Sequence, residues 1–228
     1  MIRSVLFALP VIAVLIGVLI AVLVERKSKS PLWILLPFSG SFLLSITLFD
    51  LMPELFSTPE TKGISLAVLC GILLQIFLEF FSKGAEHGHV HLSDSGENRP
   101  YYFSVFMALF IHAFLEGAPL AHIETLSIAV FLHKIPIAMV VYQFLKKANF
   151  STTRAYVLLT CFAMMTPLGL YLGHVLAESN LSVYVDALSA GIFLHVSTVI
   201  LFESEKGHRF NAKKVLAIVA AIAIAYLL

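Results

Sequence analysis

Charge is what this chain has least of. Only 13% of its 228 residues are Asp, Glu, Lys or Arg, against roughly 25% in a typical soluble domain. No polar stretch is long enough to hold a core of its own, so no separate soluble domain is expected. The net charge of +1 argues against nucleic acid or an acidic macromolecule as partner. Cysteine is scarce as well. Cys70 and Cys161 are the two present, both inside apolar runs. They read as buried small residues, which excludes a disulfide framework or a cysteine zinc cluster. The H-E-x-x-H pair of zinc proteases is missing, as are repeated H-x-x-x-H motifs and a P-loop. These absences speak against an intramembrane protease, a hydroxylase and an ATP-driven pump.

Apolar residues are what the chain has in abundance, at 59% with a mean hydropathy of +0.94. The runs predict an all-α polytopic membrane protein, residues 1–228 forming one transmembrane domain. Eight spans are expected: Val5 to Val24, Pro31 to Phe56, Ile64 to Phe81, Tyr101 to Ala121, Leu126 to Leu145, Tyr156 to Ala177, Val183 to Phe202 and Ala212 to Leu228. The first has too long an apolar core for a signal peptide, and no small-x-small site precedes Glu25, so a retained helix is expected. An even number of spans puts both termini on one side. The connections after the odd-numbered helices carry Arg26, Lys27, Lys29, Lys83, Arg99, Lys146, Lys147, Arg154, Lys206, Arg209, Lys213 and Lys214. The opposite side has Arg3 and Lys62. That asymmetry places the odd-numbered connections in the cytoplasm and both termini outside it.

Against this background, His112-Ala-Phe-Leu-Glu116-Gly117-Ala-Pro119 stands out, as does His133-Lys134-Ile-Pro136. His112 and Glu116 are spaced i,i+4 and share a helix face. Only His122 to Thr125 separate the fourth run from the fifth, so the two form a hairpin. Counting from its turn at 1.5 Å per residue puts His112, Glu116 and His133 roughly 10–17 Å deep, near the bilayer midplane. Imidazole and carboxylate suit a borderline cation such as Zn²⁺, while Fe²⁺, Mn²⁺, Co²⁺ and Cd²⁺ are also accepted. Ionisable groups at that depth need partners or a polar cavity. Pro119 and Pro136 each remove a helical hydrogen bond beside them. Each of the three alone has a competing explanation in a private interhelical hydrogen bond; together, at one depth, they point to a metal site. Lys134 borders it. Asp50, His174 and His195 are candidate pathway groups, each with a packing hydrogen bond as the competing explanation. Gln75 and Glu79 read as polar glue between helices. The loop Ser82 to Pro100 carries His87, His89 and His91, a short tract suited to weak metal binding.

These segments resemble the ZIP (Zrt/Irt-like) metal transporters. HAFLEGAPLA is similar to the family's fourth-helix signature H-[NS]-x-x-[ED]-G, and HKIPIA to the fifth-helix signature. GSFLLSITLFDLMPEL, TPLGLYLGH and ALSAGIFLHVSTVILFE resemble the second, sixth and seventh helices, with Asp50 where many members have His. The resemblance implies a ZIP-like bundle taking Zn²⁺ or a related divalent ion into the cytoplasm at the plasma membrane. It implies His112, Glu116 and His133 as ligands. Members with two adjacent metals carry an acidic residue at Lys134, a Glu at Ile137 and often an Asn at Ala113. This chain resembles the branch with Lys, and a single metal per site is expected. A Gly-containing helix in each half that ends in acidic residues suggests helices one to three and six to eight as inverted repeats. The sequence leaves the oligomeric state open, a homodimer included. An intramembrane metal-dependent hydrolase and a non-transporting metal sensor are the rival readings.

Overall fold

A computed structural model describes residues 2–24, 31–82, 99–203 and 212–228. The loop histidines His87, His89 and His91 lie outside the described residues. Within them the chain is all-helical. Helix α1 is Ile2–Val24. Helix α2 starts as Leu32–Ile46, passes through a π turn at Thr47–Leu51 and ends at Met52–Leu55. Next come α3 (Thr61–Ser82), α4 (Arg99–Leu115), a 3-10 turn at Ala118–Ala121 and α5 (Glu124–Lys147). The last three are α6 (Thr152–Leu176), α7 (Ser182–Glu203) and α8 (Ala212–Leu227). Among the described residues, seven stretches are long and apolar enough to cross a bilayer. The eighth expected span forms as α8, but its 16 residues extend only about 24 Å. It lies along α2 with Ala217, Ala221 and Ala225 buried, a stripe of small side chains that lets two helices approach.

Proline shapes the helices that meet at the centre. Pro53 has no N–H for the Phe49 carbonyl, and the chain just before it widens into the π turn, where Met52 N–H bonds Thr47 O. In α4 the regular helix stops at Leu115, and Pro119 follows inside the 3-10 turn. Helix α5 continues through Pro136, which leaves the Leu132 carbonyl without its helical donor.

The closely packed helix pairs include α1 with α5, α4 with α6, α2 with α8, and α3 with α7; α1 also meets α6 and α2 meets α7. Exchanging α1 with α6, α2 with α7, α3 with α8 and α4 with α5 carries these pairs into one another, the pattern an inverted repeat produces. The correspondence is incomplete: α2 packs on α5 while α7 touches α4 only lightly, and α3 packs on α4 whereas α8 is not among the helices packed on α5.

Two large apolar cores result, beside a small one of Ile192, Val196 and Ile200 on α7. One contains Phe42, Leu43, Ile64, Leu126, Val130, Leu170 and Phe193; the other contains Val105, Leu109, Ile137, Val141, Leu159 and Phe162. Helices α5 and α6 contribute to both, and the buried polar side chains between their two contributions are His133 and Lys134 on α5 and Thr166 on α6. The seam between the cores is therefore where the buried charge sits. The thiols are not both buried as expected. Cys70 is exposed on α3 and Cys161 is half-buried on α6, a placement an uncharged thiol tolerates on an apolar outer surface.

Candidate metal centre

Each polar group at the seam is placed by its helix. The last α-helical turn of α4 carries His112 inward, and the hydrogen bond from Glu116 N–H to His112 O (3.0 Å) keeps Glu116 on the same face just past the helix end. His133 and Lys134 enter from α5. The donor atoms of His112, Glu116 and His133 all lie within 4.8 Å of one another, and the three side chains are between 1 and 4% exposed. The His112 and His133 rings are tilted edge to face with centroids 6.3 Å apart. Among the described residues this is the one group of three or more metal-ligating side chains so arranged.

The electrostatics are closed by Lys134. Its ammonium ion-pairs with Glu116 Oε1, and both side chains are 1% exposed. It also stands 4.5 Å from the centre of the Phe162 ring, whose face attracts a cation. Breaking a buried pair of this kind leaves an uncompensated charge and costs about 3–5 kcal/mol. Glu116 is held from its other side as well. His112 Nε2 is 3.4 Å from its Oε2. The Thr166 hydroxyl lies 2.7 Å from Oε1 and 2.8 Å from the Ala113 carbonyl, so its one proton is shared between two acceptors.

Two helix contacts make this possible. A Cβ on Gly169 would lie 1.8 Å from Phe114 O, and one on Gly117 would lie 2.2 Å from Thr166 O. Only glycine permits α4 and α6 to approach so closely, and the approach brings Thr166 to Glu116. On the far side of α4, the buried Gln75 of α3 places Oε1 3.1 Å from His112 Nδ1. An amide oxygen accepts, so Nδ1 carries the proton and the Nε2 lone pair faces the cluster. Sequence reasoning had Gln75 as glue and did not single out Thr166. The signal for Thr166 was a hydroxyl residue next to a mid-membrane proline, Pro167.

The other candidates stand outside the cluster. Asp50 accepts a hydrogen bond from the Thr125 hydroxyl at the start of α5. His174 packs against the Phe7 ring at 6.0 Å. His195 Nε2 lies 2.7 Å from Glu79 Oε2, joining α7 to α3. A further pair, His122 with Asp186 at 3.8 Å, lies by the 3-10 turn and was not anticipated.

The arrangement offers two imidazole nitrogens and a carboxylate to one ion, leaving a fourth position of a tetrahedral site for water. Comparison with known proteins agrees with that chemistry. Residues 85–228 match the family model described as "ZIP Zinc transporter", a stretch that contains all three cluster residues. Zinc transporter ZIP1 of Danio rerio is 25% identical over 127 residues, 50% of this chain and 42% of that protein. The match thus spans less than half the length of this curated relative.

Proposed function

The chain belongs to the ZIP zinc transporter family, and from that premise we propose that it carries Zn²⁺ or a related divalent ion across the membrane into the cytoplasm. One observation carries the reading: three buried side chains with metal-binding atoms converge within 4.8 Å, on two stretches inside the family match. Their depth, estimated from the hairpin turn, lies close to the bilayer midplane, where secondary transporters hold their cargo. The basic connections put the side opposite the termini in the cytoplasm, and inward transport would deliver the ion to that side. His87, His89 and His91 would then meet the delivered ion. We place the chain in the cell membrane, with a homodimer as the assembly to test.

In this reading the cargo meets an ion pair and competes with it. The Lys134 ammonium holds Glu116 until a divalent ion takes the carboxylate, with His112 and His133 completing the protein ligands. Displaced, the ammonium stays near Phe162 and repels a second cation. Repulsion between cations is stronger in a water-poor interior than at the surface, which favours a mononuclear site. Release is the same exchange reversed, with Lys134 returning to Glu116. Transport needs no bond chemistry, so the chain acts as a facilitative or secondary-type carrier and not as an enzyme.

Zinc flux into proteoliposomes tests this directly. Saturable uptake by the wild type and its loss in His112→Ala and His133→Ala are expected. Tight binding with no flux would favour a metal sensor, and flux that survives both substitutions would remove the cluster from the pathway.

A further inference from the structure

A second feature opens at the membrane edge, where α5 turns into α6. A groove of about 540 Å³ runs between α4, this turn and α6. Its floor and walls include Tyr102, Phe103, Phe106 and Phe110 of α4 and Phe150 of the turn. The wall is firmly built. The Tyr102 and Phe150 rings meet edge to face at 5.3 Å, and Phe106 and Phe150 do so at 6.2 Å. Asn149, at a φ of 56°, makes the left-handed turn that folds Phe150 back onto Tyr102. The groove opens sideways, with Phe103 68% exposed, toward the surface that faces lipid if the helices span.

Charge distinguishes this groove from an ordinary apolar furrow. Its rim carries Arg154, three residues from the α6 N-cap Ser151. Lys146 and Lys147 stand exposed in the last turn of α5 just before it. No carboxylate is among the described lining residues. From Tyr102 to Phe110 the α4 wall descends about 12 Å into the membrane. A cationic rim above an aromatic slot of that depth matches an amphiphile with an anionic head and an apolar tail. Basic pockets between membrane helices select such headgroups.

We propose that this groove is a binding site for one anionic glycerophospholipid, its phosphate at Arg154 and an acyl chain along Phe103, Phe106 and Phe110. The assignment is independent of what the metal centre carries. It requires only that Arg154 sit at headgroup level, which its position at the start of a spanning helix provides.

The test uses the full chain in lipid discs. Trp33 is the only tryptophan; Trp33→Phe with Phe103→Trp makes the groove the sole indole reporter. Discs of phosphatidylcholine with a minority of phosphatidylglycerol are prepared twice, with bromine on the acyl chains of one lipid or the other. Phosphatidylglycerol should quench the reporter as if enriched about fivefold over its bulk share, the value of one basic residue at the surface. Arg154→Gln should return quenching to the bulk ratio, and Arg154→Lys should keep most of the enrichment. Met107→Trp serves as a second reporter if Phe103→Trp disturbs folding. Quenching by both lipids in proportion to abundance would mean ordinary boundary lipid and overturn the site. Quenching by neither would mean that a second copy covers the groove, and would overturn it equally.

Discussion

Among the described residues two encounters of histidine with glutamate, one buried and one partly buried, are built in opposite ways. Between α3 and α7, Glu79 and His195 touch at 2.7 Å. The helices there are locked together: a Cβ on Gly71 would lie 2.0 Å from Leu188 O, and one on Gly191 2.0 Å from Val68 O. Between α4 and α5 the backbones are not closely packed, and four ionisable side chains bridge the gap. Where backbones meet, two side chains reach each other directly across the seam. Where backbones stand apart, no single pair can close the gap, and several donors facing one point can take a cation. Helix spacing thus distinguishes a polar clasp from a metal site built of the same residue types.

The largest effect expected is at the centre. Glu116→Ala should lower saturable zinc uptake by more than about 100-fold, beyond the 10–100-fold lost when only an outer partner of a metal ligand is removed. Because that substitution strands Lys134, Glu116→Ala with Lys134→Met is the companion variant. It should restore thermal stability in detergent but not uptake. Recovery of uptake in the pair would mean that Glu116 serves Lys134 and not the cargo.

The next effect separates the two regions by packing. Gly71→Ala and Gly169→Ala both force a methyl against a backbone oxygen, and overpacking of that kind costs about 1–3 kcal/mol. Both should lower the unfolding midpoint. Only Gly169→Ala should also raise the KM for zinc, because moving α6 away from α4 withdraws Thr166 from Glu116. Equal KM values would detach Thr166 from the site.

How much of this the sequence reveals follows from the same distinction. Helix positions come from long apolar runs, and the hairpin gives depth by simple counting, so His112, Glu116 and His133 could be set at one level without coordinates. The side of the helix each residue faces is harder to read, since nearly every position around these helices is apolar. Gln75 was therefore legible only as glue, although its carbonyl oxygen sets the His112 tautomer. Thr166 depended on the approach of Gly169 to Gly117, a contact between residues 52 apart that no local pattern encodes. The expected adjacency of α4 and α5 needs revision for a related reason. A short connection brings two helix ends together, but here Pro119 and the 3-10 turn let the helices diverge around the polar cluster.

A subtler change concerns the number of ions. Lys134→Glu replaces the repelling cation with another ligand, and the variant should bind two zinc ions per protomer at the membrane centre where the wild type binds one. Equilibrium dialysis counts them, after His87, His89 and His91 are replaced by alanine so that the loop adds none. Two ions in the wild type would end the single-ion reading.

The smallest effect is expected at the clasp, and it is the sharpest check on the comparison. If Glu79 and His195 only hold α3 to α7, their worth is that of a polar contact between membrane helices, about 0.6 kcal/mol on average and rarely above about 1.7. A double-mutant cycle of Glu79→Gln and His195→Phe isolates the coupling, because the double variant removes the contact without stranding either partner. Stability should show a coupling of that size, and zinc uptake should stay within about twofold of wild type in all three variants, since the glycine-packed seam persists without the clasp. A clasp that also passes ions would behave differently. Each single substitution would then slow uptake by about tenfold or more while the coupling in stability stayed small. That result would move His195 and Glu79 onto the ion's route and show that closely packed helices can still pass a cation.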